Sequence, residues 1–235
     1  MLTPAAILRT NQAPTGAGSG QIHGRSCVRL GDAVSDGPPC SRTPAIAPNC
    51  KRNNRADNAF GHIISWLEDN DPRSPSNDAA ATHFQWRLFV ACGDPGLDKA
   101  AKQGNIKGDL FACPDGLCFD PRGFLWIGTD VFCDAMNQGD YVNFGNNQLL
   151  AADTSTGEIK RFLTGPVGCE ITGPEFAPDG RSLFVNIQHP GENPSMRSDP
   201  SHAKALSSWP DGDTGNKPRS ATIVIRKTDG GVIGT

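Results

Sequence analysis

The sequence has few aromatic residues, and none of them lies in its first quarter. Aromatic residues make up 7% of the 235-residue chain, and the first of them is Phe60. Residues 1–52 consist largely of Pro, Gly, Ser, Thr and Arg with scattered small apolar side chains. So little bulky apolar surface does not offset the entropy that a chain loses on ordering. We therefore predict a disordered segment over 1–52 and a folded domain over 53–235.

The chain also lacks an excess of charge of either sign. Its formal net charge is −3 and its isoelectric point is about 5.9, which gives no electrostatic reason to expect nucleic acid or an anionic membrane as a partner. No apolar run approaches the roughly 18 to 20 residues that span a bilayer. The opening residues, MLTPAAILRT, are too short an apolar stretch for a secretory signal, and no twin-arginine pair precedes them. On these grounds alone the chain is expected in the cytoplasm.

Several catalytic and metal-binding motifs are missing. No Gly-rich loop ending in Lys-Ser or Lys-Thr argues for nucleoside triphosphates, and no GxSxG sequence argues for serine hydrolase chemistry. The eight cysteines include no CxxC pair, and no second Cys/His pair follows Cys113 and Cys118 to complete a zinc site. The cysteines are therefore predicted to be isolated buried thiols.

Turn-forming residues are abundant and favour an all-β fold. The chain contains 27 Gly and 19 Pro, well above their usual share. The turn Asp120-Pro121-Arg122-Gly123 has Pro at its second position and Gly at its fourth, the preference of a type I turn. It joins two apolar runs and so predicts a hairpin. Further strands are predicted over 60–68, 82–92, 148–152 and 158–163, with a surface loop and one helical turn within 95–110.

The hairpin pattern recurs further along the chain. Residues 116–123 match 173–180 at an offset of 57, and 149–159 match 223–233 more loosely. Four-stranded units that repeat at this spacing are typical of propeller blades with long insertions. The alternative is two unrelated hairpins that share a common turn.

Long ordered motifs carry a family resemblance. They are RADNAFGHIISWLED (55–69), PDGLCFDPRGFLWIGTD (114–130), EITGPEFAPDGRSLFVNIQHPGE (170–192), SSWPDG (207–212) and PRSATIVIRKTDGGVIG (218–234). The run closely resembles the C-terminal part of the PhoX-type alkaline phosphatases. The resemblance covers about residues 53–235, so 1–52 is interpreted as a segment outside the family.

The resemblance implies a six-bladed β-propeller with iron and calcium ions in its central channel, where phosphomonoesters are hydrolysed. Proteins of this family are exported to the periplasm by a twin-arginine signal, which this sequence does not show. It also does not show the N-terminal half of the propeller, where an iron-binding cysteine lies. The expected fold is an incomplete β-propeller of about two to three antiparallel blades, and the expected protein is a monomeric phosphatase fragment, impaired when alone.

The same resemblance nominates site residues. Glu68, Asp115 and Glu170 match metal-ligand blocks or open inner strands, and carboxylate oxygens suit calcium and ferric iron. For each of them the alternative is a turn-capping or solvated carboxylate. Arg219 is a candidate for binding a phosphate oxygen, and a surface salt bridge is the slightly favoured alternative.

A polar cluster at the end of the FVNIQHP strand is harder to interpret. For Asn186, Gln188 and His189, hydrogen bonds that brace a loop are at least as good an interpretation as contact with metal or substrate. His62 alternates with apolar neighbours and is predicted to be a core histidine. Two alternative functions stay open: a non-catalytic propeller scaffold, and a calcium-dependent propeller hydrolase such as a lactonase.

Overall fold

The computed structural model describes residues 5–9, 59–68, 84–192, 206–212 and 217–234, and the side chains of 5–9, 66–68 and 84–86 lie outside this description. The regular secondary structure of the described residues is almost entirely β, which confirms the predicted all-β class. One short helix, α1 (Ala100–Gln103), and one 3-10 turn (Gly139–Tyr141) interrupt eleven strands. The strands are β1 (Ala5–Arg9), β2 (His62–Glu68), β3 (Phe84–Ala91), β4 (Lys107–Gly108), β5 (Pro114–Phe119), β6 (Leu125–Thr129), β7 (Gln148–Ala152), β8 (Glu158–Thr164), β9 (Glu170–Phe176), β10 (Leu183–Gln188) and β11 (Ala221–Ile225).

The strands form three sheets. Sheet A has the order β1-β2-β3, sheet B the order β4-β8-β7-β6-β5, and sheet C the order β11-β10-β9. Strands β5 to β8 make a four-stranded antiparallel meander, as predicted, and β4 adds a short parallel edge to β8. Strand β1 pairs in parallel with β2, so Ala5–Arg9 is a strand although it falls within the segment predicted to be disordered. The rest of 1–52 lies outside the described residues.

The two predicted hairpins are present, and their turns have the expected hydrogen bonds. In the β5–β6 hairpin the Gly123 N–H donates to the Asp120 carbonyl at 3.0 Å, and in the β9–β10 hairpin the Gly180 N–H donates to the Ala177 carbonyl at 2.8 Å. The Asp120 side chain also accepts from the backbone N–H of Arg122. The repeat at an offset of 57 therefore corresponds to two structurally equivalent hairpins.

The central strands of sheet B are covered on both faces. Alternate residues of a strand point to opposite sides, and in β6 the side chains of Leu125 and Ile127 pack in one core with Phe60 and Ile63 near sheet A. Trp126, between them in sequence, packs in a second core with residues of sheet C. Both faces of β6 are consequently buried, and the strand reads as a continuous apolar run rather than an alternating one.

Sheets B and C approach each other most closely where β6 and β5 pass β9. A Cβ on Gly128 would lie 2.3 Å from the Ile171 carbonyl oxygen, and one on Gly116 would lie 3.3 Å from the Gly173 nitrogen. At Gly128 only a residue without a side chain allows this approach, and at Gly116 a side chain would require a small shift of its neighbour. It brings the beginning of β5, the end of β6 and the beginning of β9 together.

One part of the predicted repeat is wrong. Strand β11 corresponds to β7 as the third strand of its sheet, but residues 226–234 contain no strand to match β8. They turn back instead, and the Ile233 N–H donates to the Gly180 carbonyl at 3.0 Å. Arg122 binds the carbonyl oxygens of Ile233 and Gly234. Within the part of the chain described by the structure, no helix is long and apolar enough to cross a membrane.

Candidate metal centre

Three side chains converge where β6, β9 and β10 meet. Asp130, Glu170 and His189 each offer one potential ligand atom, and these atoms lie within 4.8 Å of one another. Glu170 is buried, whereas Asp130 and His189 are half-buried. The cluster combines two carboxylates with an imidazole, a donor set that is typical of metal centres.

The strand register determines where each of these groups lies. Glu170 is the first residue of β9 and lies opposite Gln188, the last residue of β10. The Gln188 side-chain amide donates to Glu170 Oε2 at 2.9 Å, which fixes the carboxylate. Asp130 directly follows β6, and its backbone N–H donates to the Cys113 carbonyl at 2.9 Å. Each group is thus held at the end of a strand, where carboxylates from neighbouring sheets can meet.

The electrostatics of the cluster favour a bound cation. Burial, together with the negative charges of Asp130 and Asp115, raises the pKa of Glu170 to about 7, and a hydrogen bond with Asp115 adds to the effect. Two adjacent carboxyl groups share a proton because both cannot ionise cheaply in one place. A cation at this position would remove the need for that proton.

His189 lies between two acidic side chains. Its Nε2 is 3.6 Å from Glu170 Oε2, and its Nδ1 is 3.3 Å from Glu192 Oε2 and 3.2 Å from the Gly168 carbonyl oxygen. The residue has a φ of 37°, a backbone conformation that is uncommon for residues other than glycine. The contacts of its two ring nitrogens therefore place the imidazole between Glu170 and Glu192.

The structure brings some of the sequence candidates together. Asp115, the second residue of β5, interacts with Glu170 by charge and hydrogen bond, so it lies beside the cluster, and Glu170 is a member of it. Glu68 is the last residue of β2, and its side chain lies outside the described residues. It lies about 20 Å along that strand from His62. Its assignment as a metal ligand stays a prediction.

Arg219 has the ion pair that was its alternative interpretation. The guanidinium pairs with both carboxylate oxygens of Asp211, and this pairing raises its pKa. The next residue, Ser220, accepts a hydrogen bond from the His189 backbone N–H at 3.0 Å. Arg219 therefore precedes a residue that contacts the cluster, while its own side chain pairs with Asp211.

Sequence reasoning missed Asp130 and undervalued His189. Asp130 closes the quoted motif FLWIGTD, and its position directly after a buried strand was the available signal. His189 does brace a loop, as expected, but its other nitrogen faces the carboxylates. The Asn186 side-chain oxygen accepts from the Thr222 hydroxyl at 2.6 Å, which is a bond between paired residues of β10 and β11 rather than the predicted bracing of a loop.

Comparisons with known proteins show which family the chain resembles. Residues 33–191 match the family model described as "Alkaline phosphatase PhoX", a match that begins before residue 53. The solved structure of Pseudomonas fluorescens PhoX in complex with vanadate, a transition state analogue, aligns with a TM-score of 0.62 and 43% sequence identity. The alignment covers 74% of this chain and 28% of that one, so the chain spans less than a third of the solved relative. No curated protein matches the sequence.

Proposed function

The chain belongs to the PhoX alkaline phosphatase family, and on that premise we propose that it contributes part of a metal-dependent phosphomonoesterase centre. The observation that carries the proposal is the convergence of Asp130, Glu170 and His189. Asp115 interacts with Glu170 and completes the acidic side of the centre.

The donor set fits the ions that the family resemblance implies. Carboxylate oxygens suit calcium, and a mixture of carboxylates and imidazole suits iron. Glu170 is buried beside Asp130 and Asp115, and burial together with their negative charges raises its pKa, an environment in which a cation would be stabilised. We propose Asp115, Asp130, Glu170 and His189 as ligands for calcium and iron, with Glu68 as a further ligand if its strand end reaches the channel.

When bound, such ions neutralise charge on the phosphoryl oxygens and activate an oxygen nucleophile. The chain's own residues hold and orient the centre. Gln188 fixes the Glu170 carboxylate by hydrogen bond, and the close approach at Gly128 keeps β9 against β6. Arg219 is proposed to bind a phosphate oxygen of the substrate, which requires it to exchange its pairing with Asp211.

The stacking of sheets A, B and C supports a propeller. Sheets B and C each have an edge strand that carries an acidic residue at its first or second position, Asp115 in β5 and Glu170 in β9. The inner strands of propeller blades surround a central channel. We propose that the three sheets are blades of a larger propeller and that the isolated chain is monomeric and impaired, because it spans 28% of the solved relative.

Metal uptake by the isolated chain tests the centre directly. The protein is freed of metal with a chelator and titrated with Ca²⁺ or Fe³⁺, and bound metal is measured by elemental analysis. We expect binding by the wild type, binding at least about tenfold weaker in Glu170→Gln because one charged ligand is lost, and unchanged binding in the matched control Glu158→Gln. Glu158 is exposed on β8 and paired with Lys160. No uptake by the wild type would favour the scaffold alternative.

Activity requires a separate experiment. A chimera joins residues 53–235 to the preceding segment of the vanadate-bound relative, and p-nitrophenyl phosphate and a lactone are offered as substrates. We expect hydrolysis of the phosphomonoester, its inhibition by vanadate, and no hydrolysis of the lactone. Turnover of the lactone alone would favour the lactonase alternative. Turnover of the phosphomonoester by the isolated chain near the typical enzyme rate of about 10 s⁻¹ would contradict the proposed impairment.

A further inference from the structure

The two nitrogens of His189 face different surroundings. Nδ1 lies 3.2 Å from the Gly168 carbonyl oxygen and 3.3 Å from Glu192 Oε2. Both of these groups accept hydrogen bonds and cannot donate them when Glu192 is ionised. Nε2 lies 3.6 Å from Glu170 Oε2, which is too long for a hydrogen bond.

The loop that presents Glu192 is held tightly in place. The Gly191 N–H donates to the Val167 carbonyl at 2.7 Å, and the Glu192 N–H donates to the His189 carbonyl at 3.1 Å. A Cβ on Gly168 would lie 2.7 Å from the Glu192 carbonyl oxygen, so only glycine permits the two loops to pack this closely. Residues 167–168 and 189–192 therefore form one rigid clamp around the imidazole ring.

From this geometry we infer that Glu192 is a positioning residue. Together with the Gly168 carbonyl, it keeps the proton of the neutral His189 ring on Nδ1 and so directs the Nε2 lone pair at Glu170 and Asp130. A metal-binding histidine needs this tautomer, and a carboxylate on its other nitrogen is the usual means of selecting it. The inference rests on the proposed function for its purpose, but the tautomer itself is a property of the chain.

Nitrogen NMR of the full chain tests the inference without any activity measurement. The ¹⁵N shifts of the imidazole nitrogens distinguish the two tautomers, and a His189→Gln difference spectrum assigns the signal among the five histidines. Spectra are recorded without metal, at a pH at which the ¹⁵N shifts themselves report a neutral imidazole. We expect the wild type to carry its proton on Nδ1.

Three variants separate positioning from a purely structural role. In Glu192→Ala the ratio of the Nδ1–H to the Nε2–H form falls about tenfold, as expected for the loss of one charged acceptor 3.3 Å from Nδ1. Glu192→Gln keeps an acceptor oxygen and retains most of the wild-type ratio. Glu158→Ala, which removes a distant exposed carboxylate, leaves the ratio unchanged.

A proton on Nε2 in the wild type would overturn the inference whether or not any variant folds. An unchanged ratio in folded Glu192→Ala would overturn it as well. Titration with Mn²⁺ alone then addresses the proposed function separately: we expect Glu192→Ala to bind Mn²⁺ about 10 to 100-fold more weakly than the wild type. A tautomer shift in a chain that binds no Mn²⁺ would support the positioning role and contradict the metal centre.

Discussion

At the scale of single residues, charge repulsion at the buried Glu170 carboxylate opposes folding. Its carboxyl group is buried beside two others, and burial together with these charges raises its pKa to about 7. A neutral side chain of the same shape avoids this repulsion. We predict that Glu170→Gln increases the free energy of unfolding of the metal-free chain by about 1–2 kcal/mol at pH 8, measured by urea denaturation. A loss of stability would contradict the proposed repulsion.

The raised pKa of Glu170 also predicts that the stability of the metal-free chain depends on pH. Because the pKa of Glu170 is higher in the folded chain than in the unfolded one, the folded state holds the proton more tightly between about pH 4.5 and 7. Stability therefore falls as pH rises through that window and stays lower above it. We expect the free energy of unfolding of the wild type, measured relative to that of Glu170→Gln, to fall by on the order of 2 kcal/mol across the window. Saturating Ca²⁺ should abolish the difference, since the cation replaces the proton.

Buried thiols give a further prediction at this scale. Desolvation raises the pKa of Cys113 and of Cys169 to about 12, and both are buried. Alkylation requires the thiolate. We therefore predict that iodoacetamide modifies neither cysteine appreciably at pH 8 in the folded chain, as read by peptide mass spectrometry, whereas both react in denaturant. Rapid labelling of either cysteine in the folded chain would contradict their described burial.

At the scale of elements, the contact of β6 with β9 determines how sheets B and C meet. A Cβ on Gly128 would collide with the Ile171 carbonyl oxygen at 2.3 Å. We predict that Gly128→Ala lowers the free energy of unfolding by about 1–3 kcal/mol, the usual cost of overpacking, and weakens calcium binding because β9 carries Glu170.

Gly230→Ala is the matched control for this substitution. Gly230 has a φ of 71° and open space around it, so the variant has backbone strain of about 1–2 kcal/mol but no collision. It should leave calcium binding unchanged. Equal loss of calcium affinity in both variants would show that general destabilisation, rather than the sheet contact, is responsible.

Local turn chemistry made the hairpins predictable from sequence. The turns at 120–123 and 177–180 specify their own hydrogen bonds through Pro, Asp and Gly, and the structure contains both. The prediction of a strand near residue 233 was wrong because a turn that contains Gly does not determine whether the residues after it pair as a strand. Asp130 was missed for a related reason: its position after a buried strand marks it as a candidate, but its proximity to Glu170 comes from the packing of β6 against β9, which no local pattern encodes.

At the scale of the whole molecule, the two hydrophobic cores share sheet B. Cys113 lies in the core on the side of sheet A, and Cys169 lies in the core on the side of sheet C. Loss of either core exposes one face of the same strands, so the two should unfold together. We predict coincident urea midpoints for the alkylation of Cys113 and of Cys169 in pulse-labelling experiments. Clearly separated midpoints would show that the sheets unfold independently.

The family resemblance predicted more of the centre than composition could. It nominated Asp115 and Glu170, which the structure brings together, because motif matches retain information about distant partners that a single chain's periodicity does not. It did not indicate which nitrogen of His189 faces the acids, since that depends on the clamp formed by residues 167–168 and 189–192.

The contact of Arg122 with the carbonyl oxygens of Ile233 and Gly234 spans more than a hundred residues of sequence. During synthesis, the β5–β6 hairpin leaves the ribosome long before these two carbonyl groups do, at typical rates of about 5–20 residues per second. Several seconds therefore pass between the synthesis of Arg122 and that of the residues whose carbonyl groups it finally contacts. Pausing of translation downstream of this hairpin would prolong the interval in which its arginine is available to chaperones.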